Sequence, residues 1–152
     1  QPFDPRSIKD AFATRFADRL RAQFAARNFT KFSQRPRGEE AVPTGCLAFF
    51  AQGFTVPPHQ THYAGVLELA RSTIAARGLR PVVIKTHPKN SLEELEALAA
   101  LHDPAIGVHV TDASIHDILD VCACVVTVTS AVAFEGFLHR KPAVVAGQVD
   151  YP

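Results

Sequence analysis

The stretch Val82-Val83-Ile84-Lys85-Thr86-His87-Pro88-Lys89-Asn90 decides how this chain is read. The β-branched run Val82–Ile84 predicts a short strand buried on both faces. It stops at Lys85 and breaks at Thr86-His87-Pro88, and Ser91 then opens a helical pattern. A strand ending this way sets polar side chains on the carboxyl edge of a parallel sheet, where open α/β sheets bind their ligands. An ordinary surface loop could hold the same residues, so the flanking sequence has to decide.

On the N-terminal side, Cys46–Ala51 predicts a buried strand, with a loop at Gln52–Pro58. His59 to Arg77 then reads as a helix with Tyr63, Val66, Leu67, Ala70 and Ile74 on one face, and Gly78 as its stop. On the C-terminal side, Ser91 with Glu94 makes a capping box for a helix running to about Leu101. Gly107–Val110 is a third strand, and Ile115–Asp120 a short helix capped by Ser114 or Asp112. Val121–Val128 is the fourth strand, Ala131–Leu138 a helix started by Ser130, and Ala143–Ala146 the fifth strand after the Lys141-Pro142 turn. Strands alternating with helices at this spacing predict βαβ units with right-handed crossovers. The expected fold is a Rossmann-like three-layer α/β domain over residues 45–152, with a parallel sheet of about five strands.

Residues 1–44 read as an amphipathic N-terminal helix and a linker. Ile8, Phe12, Phe16, Leu20 and Phe24 recur every fourth residue across Ser7–Asn28, a stripe that drifts round the axis because 4 exceeds 3.6. Asp10 and Asp18 interrupt its basic face, so packing on protein is expected rather than a membrane surface. Lys31–Thr44, with two prolines, a glycine and opposed charges, reads as a linker or surface loop; its basic half could meet phosphate or simply be solvated.

Composition narrows the classes. The 152 residues suit one domain with a real core, at 47% hydrophobic and 20% charged. Nothing approaches the roughly 18 apolar residues of a membrane span. A net charge of +1 argues against nonspecific nucleic-acid binding. Cys122 and Cys124, expected on one face of a strand, cannot easily bridge each other, so the three cysteines are expected as free thiols in a reducing cytoplasm. No Cys or His pairs stand at zinc-ligand spacing, and no metal is expected.

The strand ends define one polar rim: Gln52; Lys85, Thr86 and His87; Thr111 and Asp112; Thr129 and Ser130; Gly147 and Gln148. Thr129-Ser130 ahead of a helix can cradle a phosphate or simply cap the helix. His87, with an ordinary pKa of about 6.5, can donate to a phosphate oxygen, and Pro88 fixes the backbone behind it. Asp117, on the short helix before strand four, could reach ribose hydroxyls, and Glu135, in the helix after Ser130, is a second carboxylate of note that could simply pack that helix on a neighbour. His59 and His62 have metal-ligand spacing but no third ligand; His102, His109 and His139 read as surface positions. No GxGxxG, P-loop or nucleophile elbow is present.

In the order KTHPKN, SIHDIL and VVTVTSAVAFEGFLHRKPAVVAGQVDYP, these segments resemble the C-terminal half of capsule polysaccharide biosynthesis proteins, a family that includes Kdo transferases. Lys85, His87 and Pro88 match its Lys-Pro-His-Pro motif, with Thr86 departing from the proline. Ser130, Phe134, Glu135, Lys141, Pro142, Gly147 and Tyr151 match its last motif, and Gln52 is similar to a glutamine the family keeps. The resemblance implies the donor domain of a GT-B glycosyltransferase holding a nucleotide sugar, CMP-Kdo, without metal or other cofactor. His87, Thr129 and Ser130 would hold the phosphate, and Asp117 or Glu135 the ribose; where many relatives carry paired serines, this chain has Thr129-Ser130-Ala131. A glycolipid or polysaccharide acceptor and the catalytic carboxylate would belong to a second domain that this sequence does not contain. Gln1 and the stop after a strand-like run fit a piece of a longer protein, inactive by itself. The phenylalanine stripe would meet that absent domain or a second copy. The expected location is the cytoplasm, with peripheral attachment at the inner membrane left open. Two other readings stay in play: a CDP-glycerol-type polymer transferase, whose relatives read DYSS-FD here, and a non-catalytic binding module of a capsule locus serving synthesis or export.

Overall fold

The computed structural model describes residues 4–54 and 65–149. Five short strands form the centre: β1 Leu47–Phe50, β2 Val82–Lys85, β3 Val108–Thr111, β4 Cys124–Thr127 and β5 Ala143–Val145. They lie in the order β3-β2-β1-β4-β5 and every neighbouring pair is parallel. The helices are α1 Asp10–Ala25, α2 Val66–Ala76, α3 Leu92–Ala99, α4 Ile115–Val121 and α5 Val132–Leu138.

The two-residue period of a strand divides the core into two halves. Phe49, Val82, Ile84, Val108 and Val126 face one side, where Val66, Leu69 and Ala70 of α2 and Leu98 of α3 cover them. Ala48, Phe50, Val83 and Val125 face the other, under Ile118 and Leu119 of α4 and Val132 of α5. This is the three-layer Rossmann-like arrangement that the alternating strands and helices predict. Each fully buried aliphatic or Phe side chain contributes about 1.5–3 kcal/mol of transfer free energy.

Several boundaries differ from the expected ones for local reasons. Lys85 is not a loop residue: it pairs with Phe50 and Thr111 as the last residue of β2. The fourth strand begins later, because α4 runs on through Val121, and the Cys122 amide still bonds to the Ile118 carbonyl at 2.9 Å. Cys122 is therefore the C-cap of a helix rather than a strand residue, and all three cysteines are free. Burial pushes the Cys46 and Cys122 thiols up to about 12 and about 11. The Ser91–Glu94 capping box forms as the sequence predicts. Of the helix expected from His59, residues 55–64, with Tyr63 and both histidines, lie outside the described residues.

α1 is shorter than the expected Ser7–Asn28, with a 3-10 turn at Pro5–Ser7 before it. Its stripe does drift: Phe12 and Phe16 are 60% and 55% exposed, whereas Leu20 and Phe24 turn toward Phe134 and Leu138 of α5. The linker is exposed over most of its length, as expected of a surface loop, but it is tied to α4. Arg37 spans Asp117 and Asp120, the Ser114 hydroxyl donates to Asn28 Oδ1 at 2.6 Å, and the Ile115 amide donates to Gln34 Oε1 at 3.2 Å. These bonds lay residues 28–37 along the N-terminal end of α4. Among the described residues no helix is long and apolar enough to cross a membrane.

α5 sits close on β4, and Gly136 permits it: a Cβ there would stand 3.0 Å from Val125 Cγ2. Gly136→Val should therefore destabilise the protein by about 1–3 kcal/mol through overpacking, whatever it gains in helix propensity. Urea denaturation checks this, and an unchanged midpoint would show that α5 can lift off the sheet freely.

Candidate functional site

The strand order reverses between β1 and β4. The chain leaves β1 toward β2 and β3 but leaves β4 toward β5, so the carboxyl ends of these two neighbours border a crevice. A cleft of about 420 Å³ opens there. Gln52 lines it from the end of β1, Lys85, His87 and Pro88 from the end of β2, and Thr129 and Ser130 from the end of β4. Glu135 enters from α5. The seven residues come together from four separated parts of the chain.

Gln52 closes the switch point. Its Oε1 accepts the Thr129 amide at 3.1 Å, and its Nε2 donates to Thr129 Oγ1 at 3.1 Å. An amide side chain supplies both functions from one planar group, which neither a carboxylate nor a lysine can do. The Ser130 hydroxyl accepts the Val132 amide at 3.3 Å, so it holds the first turn of α5 although Ala131 takes the N-cap position.

His87 is fixed from two sides. Its amide donates to Asn90 Oδ1 at 2.7 Å, and Asn90 Nδ2 donates to the Gln52 carbonyl at 3.1 Å and to Glu94 Oε2 at 2.8 Å. Asn90 thus ties the loop carrying His87 to the loop carrying Gln52. On the ring, Nδ1 accepts the Lys89 amide at 3.1 Å. In the neutral imidazole the hydrogen must then sit on Nε2, which makes that atom a donor. Burial, together with the charges of Lys85, Lys89 and Lys31, holds the imidazole below its ordinary pKa.

Lys85 is a buried cation at the rim, only 6% exposed, with Nζ donating to the Asp112 carbonyl at 3.1 Å. Burial lowers its pKa and the Asp112 carboxylate opposes this. Asp112 is itself paired with Arg35 at 2.9 Å. The cleft lining holds Lys31, Lys85 and Lys89 against a single carboxyl group, Glu135. Burial pushes that carboxyl up to about 7. Its Oε2 is buried and, among the described residues, is the side-chain polar atom left without a hydrogen-bond partner. The site is therefore short of negative charge and short of one hydrogen-bond partner, both of which an anionic, hydroxyl-bearing ligand supplies.

Asp117 stands elsewhere. It does not line the cleft; one carboxylate oxygen accepts Arg37 Nε at 2.8 Å and the other the Gly38 amide at 2.7 Å. Asp117 is thus set apart from the cleft residues, with each carboxylate oxygen engaged by the linker. His139 is likewise not a surface residue: it is buried beside Asp120, and His116, which no motif singles out, is buried next to it. The basic half of the linker does reach the site: Thr30, Lys31, Phe32 and Gln34 line the cleft beside His87, a placement that the sequence offers only as a possible phosphate contact. Phe32 meets the His87 ring edge-to-face at 4.9 Å, with the Lys31 and Lys89 ammonium groups 5.6 and 5.5 Å from the Phe32 ring centre. The Lys31-Phe32 pair was the available signal, a cation beside an aromatic in a loop otherwise lacking large apolar residues. Among the described residues no group of three His, Cys, Asp or Glu side chains is placed to hold a metal ion.

The family model for capsule polysaccharide biosynthesis proteins matches residues 56–152, more than half of the chain. The chain belongs to that family. No curated protein matches this capsule-family chain. Among solved structures it is similar to the Thermosulfurimonas dismutans KpsC β-Kdo 2,4 transferase, with a TM-score of 0.55 and 16% identity. It is also similar to the β-Kdo 2,7 transferase of the same organism's KpsC, with a TM-score of 0.55 and 18% identity. Each match covers 97% of this chain and 49% of the other, so the capsule-family chain spans about half the length of these structures. At such identities the likeness speaks for the fold.

The Glu135 carboxyl carries a pH signature with a definite sign. Its folded pKa of about 7 lies above the ordinary value of 4.5. Folding therefore favours the protonated form, and this contribution to stability fades as pH rises from about 4.5 to about 7. Glu135→Gln should remove a loss on the order of 3 kcal/mol across that window. Denaturant melts of both proteins at pH 5 and pH 7.5 test it; parallel pH profiles would mean that the carboxyl is solvated.

Proposed function

We propose that this chain is the donor-binding domain of a GT-B glycosyltransferase in capsule polysaccharide synthesis or export, and that its cleft holds the phosphate of a nucleotide-activated sugar, CMP-Kdo. The observation that carries this reading is the convergence of Gln52, Lys85, His87, Thr129 and Ser130 on one lysine-rich cleft at the switch point. The family membership and the similarity to two Kdo transferases support it.

The proposed roles follow from the chemistry of each group. His87 Nε2–H and the hydroxyls of Thr129 and Ser130 donate to phosphate oxygens, while Lys31, Lys85 and Lys89 supply charge that costs little to bring together once an anion is present. Pro88 and Asn90 keep His87 in place. Glu135, not Asp117, meets the ribose hydroxyls, since its Oε2 has no partner within the described protein. Gln52 acts indirectly, by setting Thr129. The reading needs no metal or other cofactor. The acceptor, a glycolipid or polysaccharide, and the catalytic base would belong to a second domain, and transfer would take place on the cytoplasmic side of the membrane.

Titration calorimetry of the full-length parent protein with CMP, CDP and UDP tests the assignment. Preference for CMP supports it; preference for CDP points to the polymer transferase group, and absence of CMP binding sinks it. His87→Ala should weaken CMP binding at least tenfold, about 1.4 kcal/mol. Its sign with pH is also fixed. His87 is held low by burial and by three cations, so a bound anion must raise its pKa and binding must take up a proton. Ring resonances of His87 tracked against pH, with and without CMP, report that shift directly.

A further inference from the structure

Behind the cleft, two buried histidines join the half-buried Asp120 to the backbone of the exposed Phe29 in a chain of contacts. Asp120 Oδ1 lies 2.9 Å from His139 Nδ1. His139 Nε2 lies 3.1 Å from His116 Nδ1. His116 Nε2 lies 3.0 Å from the carbonyl oxygen of Phe29. His116 and His139 are 2% and 6% exposed, and their rings are near parallel at 26°.

Counting protons decides what this chain requires. Both ends, a carboxylate and a carbonyl, are acceptors, and the middle contact joins two ring nitrogens. Three hydrogen bonds need three hydrogens, but two neutral imidazoles carry only two. With two, and the anionic end keeping its hydrogen on His139, the single hydrogen of His116 can serve either His139 or the Phe29 carbonyl but not both, so the Phe29 bond competes with the ring–ring bond. With one further proton taken from solvent, every contact is a hydrogen bond and the ring pair carries a single shared positive charge. The proton belongs to the rings rather than to Asp120, because hydrogen bonds from Arg21, Arg37 and His139 outweigh burial there and hold the carboxyl at about 2.

Phe29 is where this chain meets the cleft. Of the residues directly after it, Thr30, Lys31, Phe32 and Gln34 line the cleft, with Phe32 against the His87 ring. Asn28 and Gln34 anchor this strap at its two ends on Ser114 and the Ile115 amide. The Phe29 carbonyl is the point between them at which the strap is either bonded to the core or set against a lone pair.

We propose that His116 and His139 take up one shared proton, and that this proton latches the segment Phe29–Gln34 over the cleft. The proposal goes beyond the donor-site reading and does not depend on which ligand the cleft takes. The charges around the pair are Arg21 from α1, Lys31 and Arg37 from the linker, Asp117 and Asp120 from α4, Glu135 from α5 and Lys141 after it, whose Nζ donates to the Asp120 carbonyl at 3.1 Å. Burial holds both imidazoles below the ordinary range, with His139 at about 4, so the proton arrives on acidification below neutral pH.

The test uses the whole chain labelled with ¹⁵N. Ring-nitrogen correlation spectra between pH 7.5 and pH 4 count the hydrogens on His116 and His139. Exchange protection of the Thr30–Gln34 amides, corrected for intrinsic exchange, is read on the same samples. Expected is a single step in which the pair passes from two hydrogens to three, with strap protection rising at least threefold in that step. Glu135→Gln should leave the step in place, which separates it from the titration of that carboxyl. His139→Gln should abolish the rise in protection while the strap still exchanges as a unit; if that variant fails to fold, the native titration decides. Two independent ring titrations ending in four hydrogens, no proton uptake down to pH 4, or strap protection that ignores the step would each overturn the proposal.

Discussion

Everything about this molecule depends on two adjacent parallel strands whose chains must leave in opposite directions. β1 feeds a crossover toward one edge of the sheet and β4 a crossover toward the other. The crevice between their carboxyl ends exposes the last amides of the strands to solvent or ligand. The protein closes it with a single side chain, Gln52, which bonds to both the amide and the hydroxyl of Thr129. Once that clamp is set, the loops of β1 and β4 cannot drift apart, and Asn90 adds the loop of β2 to the same rigid unit. Cationic and hydroxyl groups can then be brought close together without a ligand, because the loops and not the ligand fix their spacing.

The sheet itself was legible from sequence because its cause is local. Alternation along Leu47–Phe50, Val82–Lys85 and Cys124–Thr127 assigns each residue to one of two cores, and the helices between strands announce their own caps. Boundaries were less legible where two local preferences overlap. Val121-Cys122 is as β-branched and apolar as the strand residues after it, yet α4 keeps it through the bond from Cys122 to Ile118. Lys85 looks like a loop residue until the neighbouring strands pair with it on both sides.

For the site, the rule that ligands lie beyond the carboxyl ends of strands was enough to point to Gln52, Lys85, His87, Thr129 and Ser130, which line one cleft; Glu135 joins them from α5, outside that rule. Asp117 lies on the first turn of α4, away from these strand ends, and does not line that cleft. The partner that captured it, Arg37, lies in a linker eighty positions away in the chain. The same long-range closure hid how the strap at Thr30–Gln34 is seated, and it hid the buried pair His116–His139. No spacing in the sequence connects Phe29 to His116, or Asp120 to both His139 and Arg37. Periodicity reports which face a residue takes; it says nothing about which distant polar group will meet it there.

The linker is what joins the two halves of this picture. Its residues carry Phe32 and Lys31 to the cleft and Arg37 to the acidic pair on α4, so one segment contacts the site in front and the ion pairs behind. Arg37 and Arg21 neutralise Asp120, which leaves that carboxylate able to orient His139 without drawing its proton away. Glu135 stands between the two regions, lining both the cleft and the apolar cavity that His116 borders. An anion in the cleft would raise the Glu135 pKa further and favour its neutral form, through the same Coulomb term that raises His87. Glu135 is already largely neutral at the pH where the histidine pair takes up its proton, so the two titrations are separated in pH although they border the same carboxyl group.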